Sequence, residues 1–415
     1  MGYKVAGIDV HKKVLMVVVC EVSAPQAEPE RRRFGTTTSE LQRLSLWLRQ
    51  QAVEEAVMES TAQYWKPVWY ELEPYLRLQL AQAYSNRAPR GRKHDFKDAE
   101  RLVRRLVCNE LVLSFVPRGE QRTWRTLTRM KVQLSREQSR LHSQLECLLE
   151  EMRIKLSSVL SDLLGVSGYR ILRALSAGET DPGKLAALGD ERLRCSQEQL
   201  IDALSGHPLP LHRQLLGLYL DRYQMIADQI AQLNRMIAEA MQAEPAAAAA
   251  VLRLAEVPGF GADSAQQVIA EVGAQASTFA APANLTSWVG TCPGKQESAE
   301  QNHSSRCAKG NRYMRRILNQ AAHAAVKKNG SHFQTVFRRL LPRLGYKAAV
   351  WAIAHRLCRL VWKILHEGVQ FVEQGSDSDP RRKHQRALKL LRILRRLGYE
   401  VDLKPAAANL AAVTG

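Results

Sequence analysis

Gly7-Ile8-Asp9-Val10-His11-Lys12 ends the first apolar run of this 415-residue chain and sets a carboxylate where a strand hands over to a turn. The run Tyr3 to Val10 alternates as a strand does, and so does Val14 to Val22. Only His11, Lys12 and Lys13 join them, a connection of hairpin length, so the sheet they begin is mixed rather than purely parallel. The pattern continues outward as a strand from Arg31 to Thr36, a helix near Ser39 to Gln51 and a strand ending near Glu59. The first third therefore reads as an α/β domain.

Asp9 has no structural task at the end of an apolar strand, and Glu59 ends a second such run, Ala56-Val57-Met58-Glu59. Both carboxylates project from one sheet edge if their strands are neighbours. Asp95 and Asp98 follow in Lys93-His94-Asp95-Phe96-Lys97-Asp98, three residues apart on a predicted helix and hence on one face. Four converging carboxylates repel one another unless cations intervene or their pKa values rise. Two magnesium ions about 3.5–4 Å apart are the common solution in nucleases and polymerases. Singly, each acid also reads as a surface charge or a helix cap, Asp95 above all. As a set on strand, strand and helix, flanked by Arg87, Arg90, Arg92, Lys93 and Lys97, they read as a phosphoryl-transfer centre with basic residues for phosphate approach.

Sixty Lys and Arg against 41 Asp and Glu give a formal net charge of +19, which points to a polyanionic partner, nucleic acid first. Seven scattered cysteines suggest neither a disulfide framework nor a zinc knuckle, so a reducing cytoplasm is expected. No apolar stretch is long enough to cross a bilayer, and no membrane partner is expected.

Beyond Gly119 the periodicity changes to a heptad seam, carried by Leu127, Met130, Leu134, Leu141, Leu145, Leu148 and Met152. Tyr219, Tyr223, Ile226, Ile230, Leu233 and Ile237 make a second. Two such helices pair with each other, antiparallel, or with another subunit, and the seams alone do not choose. The expected domains are 1–118, an α/β domain; 119–245, coiled-coil helices with an insertion at about 165–210; 246–374, a mainly α-helical region; and 375–415, a basic tail. In that tail, 381–396 reads as an amphipathic basic helix, fit for nucleic acid or for a solvated surface.

Two loops mark the third region. Val257-Pro258-Gly259-Phe260-Gly261 precedes a helix and resembles a helix-hairpin-helix turn, in which Gly259 and Gly261 free backbone amides for a phosphate; a plain helix-helix turn fits equally. Cys292-Pro293-Gly294-Lys295-Gln296-Glu297-Ser298-Ala299 is followed by Arg306 and by Lys309-Gly310-Asn311-Arg312-Tyr313-Met314-Arg315-Arg316. Arg306, Lys309, Arg312, Arg315 and Arg316 suit a phosphate attacked by a serine hydroxyl, yet no base is identifiable and other serines stand as near.

Together these segments resemble the Asp-Glu-Asp-Asp class of insertion-sequence transposases, the IS110 family, to which Piv-type DNA invertases are related. The likeness covers most of the chain and rests on Gly7 to Lys12, Met58 to Thr61, Lys93 to Ala99, Val257 to Gly261, and Cys292 to Ala299 with Lys309 to Arg316, in that order. The resemblance implies an N-terminal ribonuclease-H-like (RuvC-like) domain in which Asp9, Glu59, Asp95 and Asp98 hold magnesium, or manganese in its stead. It implies a C-terminal transposase domain whose Ser298 becomes covalently joined to DNA. Donor and target double-stranded DNA, a structured bridge RNA as guide, and a homo-oligomer, dimer or tetramer, in which coiled coils join protomers, are the partners it implies. Two other functions remain open at the level of sequence: a metal-only junction endonuclease in which Ser298 is structural, and a nucleic-acid-binding regulator without chemistry. Ala299-Glu300 departs from the glycine often found after the family's serine region.

Overall fold

β1 (Lys4–Val10), β2 (Val14–Glu21), β3 (Glu30–Gly35), β4 (Glu55–Glu59) and β5 (Arg77–Ala81) form one sheet in the order β3-β2-β1-β4-β5. The computed structural model describes residues 3–23, 28–59, 62–83, 95–294, 296–298, 301–304, 307–373, 388, 390–396 and 400–401. The first three strands pair antiparallel, whereas β4 runs parallel to both β1 and β5. The sheet is mixed, as a short β1–β2 hairpin requires. The chain divides into two compact units, Met1–Pro117 and Arg118–Gly415.

Alternation assigns each face of the sheet its cover. Ala6, Ile8 and Val10 of β1, with Ala56 and Met58 of β4, pack against α1 (Thr38–Gln50) and α2 (Trp65–Leu72), where Leu44, Leu48, Val68 and Leu72 close the main core. The odd positions, Val5, Gly7 and Asp9 on β1 and Val57 and Glu59 on β4, face the other way. That side is covered by α3 (Asp95–Val107), whose buried Ala99, Leu102 and Val103 extend the stripe begun by Asp95 and Asp98. A Cβ at Gly7 would stand 2.2 Å from the Ala99 carbonyl oxygen and 2.8 Å from Val103 Cγ2, so the helix backbone lies directly on the strand. Neither α2 nor β5 stands out in the sequence, because each is short and Pro74 interrupts the pattern between them.

The second unit is helical apart from one small hairpin. α4 (Gly119–Glu151) and α9 (Pro210–Gln242), 33 residues each and roughly 50 Å long by their rise, pack along their length. Trp124 Nε1 donates to the Ala240 carbonyl at one end, Leu134 and Leu141 meet Ile226 and Leu233 midway, and Leu148 packs with Leu216 at the other. The two seams therefore pair antiparallel within one chain. Between them α5 (Leu156–Val159), α6 (Val166–Ala177), α7 (Pro182–Ala186) and α8 (Gln197–Leu204) build a separate cap at the hairpin's tip, cored by Leu163, Ile171, Leu172, Leu185 and Leu200.

At the open end of the hairpin, Trp124, Ile237 and Met241 share a core with the helices that follow. These are α10 (Pro245–Ala255), α11 (Ala262–Val272), α12 (Pro282–Val289), α13 (Arg312–Lys327) and α14 (His332–Glu367), the last broken at Gly345. The two-stranded hairpin of β6 (Gln296–Ser298) and β7 (Gln301–Ser304) stands between α12 and α13. All seven cysteines are unpaired, and among the described residues no helix is long and apolar enough to cross a membrane. Of the expected basic tail helix, 390–396 is helical, and the rest of 381–396, apart from residue 388, lies outside the described residues.

The close contact at Gly7 gives a direct stability prediction. Gly7→Ala forces a methyl into the Ala99 carbonyl, and urea unfolding of the variant is expected to show a loss of about 1–3 kcal/mol, the range for overpacking a tight interface. Wild-type stability in Gly7→Ala would mean that α3 does not sit on β1 at this distance.

Candidate functional site

Ile8 pairs with Met58 in the parallel ladder, so Asp9 and Glu59 are the next residues of two adjacent strands, both on the face that α3 covers. α3 begins at Asp95 and carries Asp98 one turn later. Strand alternation, the register of β1 on β4 and the seat of α3 on Gly7 thus bring three of the expected acids, Asp9, Glu59 and Asp98, into one neighbourhood, with the backbone of the fourth, Asp95, at the helix start.

The electrostatics of Asp9 report that neighbourhood. Its side chain is 18% exposed. Burial, first of all, pushes its carboxyl above the usual range, the charges of Asp98 and Glu59 push the same way, and His11 pulls it back. His11 Nε2 lies 3.0 Å from Asp9 Oδ2, and Arg101 Nη1 donates to Asp98 Oδ1 at 2.8 Å. Neither residue was singled out from sequence, although both signals are local: His11 is two places from Asp9 in a strand end, and Arg101 is one helical turn from Asp98. Among the described residues no three His, Cys, Asp or Glu side chains stand close enough to cage an ion already. The donor set is nevertheless that of a hard cation: all oxygen, and short of positive charge at Asp9.

Of the expected phosphate-contacting residues, Lys97 is exposed on α3, and Arg87, Arg90, Arg92 and Lys93 lie outside the described residues. In the second unit Lys309 and Arg312 are exposed and Arg306 is outside the described residues. Arg315 is committed locally: it donates to the carbonyls of Gly290 and Ala308, the latter at 3.2 Å, and its guanidinium lies 4.5 Å over the Trp351 ring. Arg316 donates to Gln267. Gly259, at φ +94°, is a packing glycine, since a Cβ there would meet the Ala321 carbonyl oxygen of α13 at 2.1 Å. The Gly261 amide already donates to Ser264 Oγ at 2.8 Å, so the geometry of this turn follows helix packing and a local cap.

Ser298 is the last residue of β6, paired with Gln301 across the turn of the small hairpin. Two contacts close the root of that hairpin: the Arg315 clamp on Gly290 and Ala308, and the Asn311 amide donating to the Trp288 carbonyl at 3.2 Å. Asn311 also caps α13, its Oδ1 accepting from the amides of Tyr313 and Met314 at 2.9 and 3.0 Å. Its Nδ2 donates at 2.9 Å to Glu271 Oε2, a carboxylate on α11 that is 2% exposed at its side chain. Arg129 of α4 grips the same carboxylate with two hydrogen bonds, Nε to Oε1 at 2.7 Å and Nη2 to Oε2 at 2.8 Å. Arg125 adds Nε to the Ala270 carbonyl at 3.0 Å and stands 3.8 Å from Glu271 Oε2. Burial drives the Arg125 guanidinium down to about 10, against the opposing pull of Glu271. For Arg129 burial works downward too, and the Glu271 hydrogen bond and charge more than offset it, leaving the guanidinium above its ordinary value.

Known proteins resemble the chain in both units. Residues 6–154 match a family described as Transposase, of the DEDD IS110 type, and residues 251–338 match the Transposase IS116/IS110/IS902 family. The first match contains Asp9, Glu59, Asp95 and Asp98; the second contains Ser298, Glu271 and Asn311. The Sinorhizobium fredii protein named "Putative transposase y4pF/y4sB" is 24% identical over 184 residues, a stretch covering 43% of this chain and 46% of that relative.

The Asp9 carboxyl gives a test with a defined sign. A carboxyl whose folded pKa is raised stabilises the fold fully only below the unfolded value, about 3.9, and loses that contribution as pH rises through the folded value. Without divalent ions, Asp9→Asn is therefore expected to melt above wild type at pH 7, with the gap closing as the pH falls into the carboxylate range. Added magnesium should raise the wild-type melting temperature and leave that of Asp9→Asn unmoved. A variant that melts below wild type at pH 7, or that gains equally from magnesium, contradicts this picture of Asp9.

Proposed function

We propose, since the chain belongs to the IS110 family of transposases, that it cuts and rejoins donor and target DNA through a serine ester, with its carboxylates holding divalent cations. The observation that carries the reading is the adjacency of Asp9 and Glu59 on parallel strands, with α3 and Asp98 lying over them. Acids arranged so, against a formal net charge of +19 over the whole chain, suit a phosphodiester substrate better than any neutral one.

In this reading residues 1–118 form a RuvC-like, ribonuclease-H-like metal domain, in which Asp9, Glu59, Asp95 and Asp98 hold magnesium or manganese. When bound, the ions supply neutralising charge for the phosphate and its leaving oxygen. His11 and Arg101 orient Asp9 and Asp98. Residues 246–374 form the transposase domain, where Ser298 supplies the nucleophile. Its Oγ bonds to phosphorus as the strand's own P–O ester breaks, and the hydroxyl proton ends on the departing strand's oxygen. Attack by another strand end reverses the step and releases the serine. Lys309 and Arg312 are exposed beside the serine hairpin and counter the phosphate's charge.

The acids and the serine belong to separate units of the chain, which fits a homo-oligomer, dimer or tetramer, in which one copy's serine serves another copy's acids. The antiparallel hairpin of α4 and α9 fits a joining role for the expected coiled coil through its outer face, where Met130, Leu218, Met225 and Met236 are exposed. A structured bridge RNA as guide suits the excess of basic residues, which exceeds what one DNA duplex needs for docking alone.

Purified protein, magnesium, both DNA sites and the RNA transcribed beside the coding region make the test. Strand exchange is expected to fall about 10³-fold or more in Ser298→Ala and in Asp98→Asn, the scale on which loss of a nucleophile is felt. Only Ser298→Ala should abolish a protein–DNA adduct that survives denaturation. Normal cleavage by Ser298→Ala would reject the serine ester and leave a metal-only endonuclease.

A further inference from the structure

The root of the serine hairpin is tied to the long helical hairpin by a chain of buried polar contacts. Glu271 sits on α11, a helix buried on nearly every side, where Ala265, Val268, Ile269, Ala270 and Val272 surround it. An anion in such a place persists only when its partners are fixed. Two of those partners belong to elements that differ in purpose: Arg129 to the long helix α4, and Asn311 to the residue that ends the serine segment and begins α13. The Arg129 guanidinium also lies 4.6 Å over the ring of Tyr313, in the first turn of α13.

A helix cap alone does not account for Asn311. Serine or aspartate caps as well as asparagine does, but neither replaces what the amide does here. Its oxygen takes the α13 amides, and its nitrogen, a donor, reaches the buried carboxylate. Its backbone amide meanwhile holds the Trp288 carbonyl on the opposite side of the root. One residue thus joins the two sides of the root, the start of α13 and, through Glu271, the helix α4.

We propose that Asn311 is a positioning residue: gripped by Glu271 and Arg129, it fixes the root of the hairpin that carries Ser298 to the frame of the long helices. The proposal rests on the reading of Ser298 as nucleophile, and it adds the residues that aim it. Asn311, Glu271 and Arg129 touch no substrate in this scheme. They hold the strand that does, so that a shift of α4 is passed to the serine hairpin.

Asn311→Ser tests this, because it keeps a good cap for α13 and removes the donor that reaches Glu271. Hydrogen exchange by mass spectrometry on the full-length protein reads the root without any activity. Peptides spanning 289–310 should exchange about tenfold faster, while those of α4 and α9 stay as in wild type. With DNA and RNA at saturation, the rate of Ser298–DNA adduct formation should fall at least about tenfold, with DNA affinity unchanged. Unchanged exchange in 289–310 overturns the pin. Faster exchange with an undiminished adduct rate overturns the positioning role and leaves a structural contact. If wild type itself forms no adduct, the serine reading fails and takes the positioning role with it, and the exchange result alone then decides whether the pin exists.

Discussion

The helix that brings Asp95 and Asp98 to the sheet lies where it does because position 7 has no side chain. Any Cβ there would meet the Ala99 carbonyl oxygen at 2.2 Å, inside the contact distance of the two atoms, and α3 would have to lift. The strand alternation that turns Gly7 toward α3 also turns Asp9 and Glu59 toward it, and the stripe of Ala99, Leu102 and Val103 that seats the helix continues at its start as Asp95 and Asp98. Packing and site are one pattern read along the same two elements. A gap of a side chain's width would relieve the carboxylates of one another and deprive a cation of its cage.

Gathering acids has a cost, and the fold meets it only in part. His11 beside Asp9 and Arg101 beside Asp98 supply some positive charge, yet the Asp9 carboxyl still stands above its usual range, burial being the first cause. A site left short of charge in this way is pre-organised for a divalent ion, which gives back what desolvation and repulsion take away. The second unit solves the opposite problem. Its buried charge, Glu271, is fully partnered by Arg129, Arg125 and Asn311, and serves to lock three elements rather than to bind.

Much of the sheet was legible in the sequence, because strands of period two joined by three residues leave little choice, and the acids stood at strand ends where nothing structural needs them. The heptad seams announced two long helices but not their partner; antiparallel pairing within the chain follows from contacts such as Trp124 with Ala240. What escaped was tertiary. Glu271 reads as one more acid on an amphipathic helix until α11 is seen to be buried nearly all round. A clue existed in Arg125 and Arg129, like charges four apart on α4, a repulsive pair on an isolated helix that calls for an acid between them. Arg315, expected to meet phosphate, instead clamps the hairpin root. Gly259 serves contact with α13, a need that the motif Gly-x-Gly does not distinguish from a phosphate turn.

The central claim is that Asp9, Glu59, Asp95 and Asp98 form one divalent-cation centre on the face of the sheet that α3 covers. Anomalous diffraction at the manganese edge, from crystals of the protein grown with manganese, tests it most directly. The account predicts manganese between the carboxyl ends of β1 and β4 and the first turn of α3, with oxygen atoms of Asp9 and Asp98 among the ligands. Manganese bound elsewhere, or no peak at that place at millimolar concentration, would contradict it.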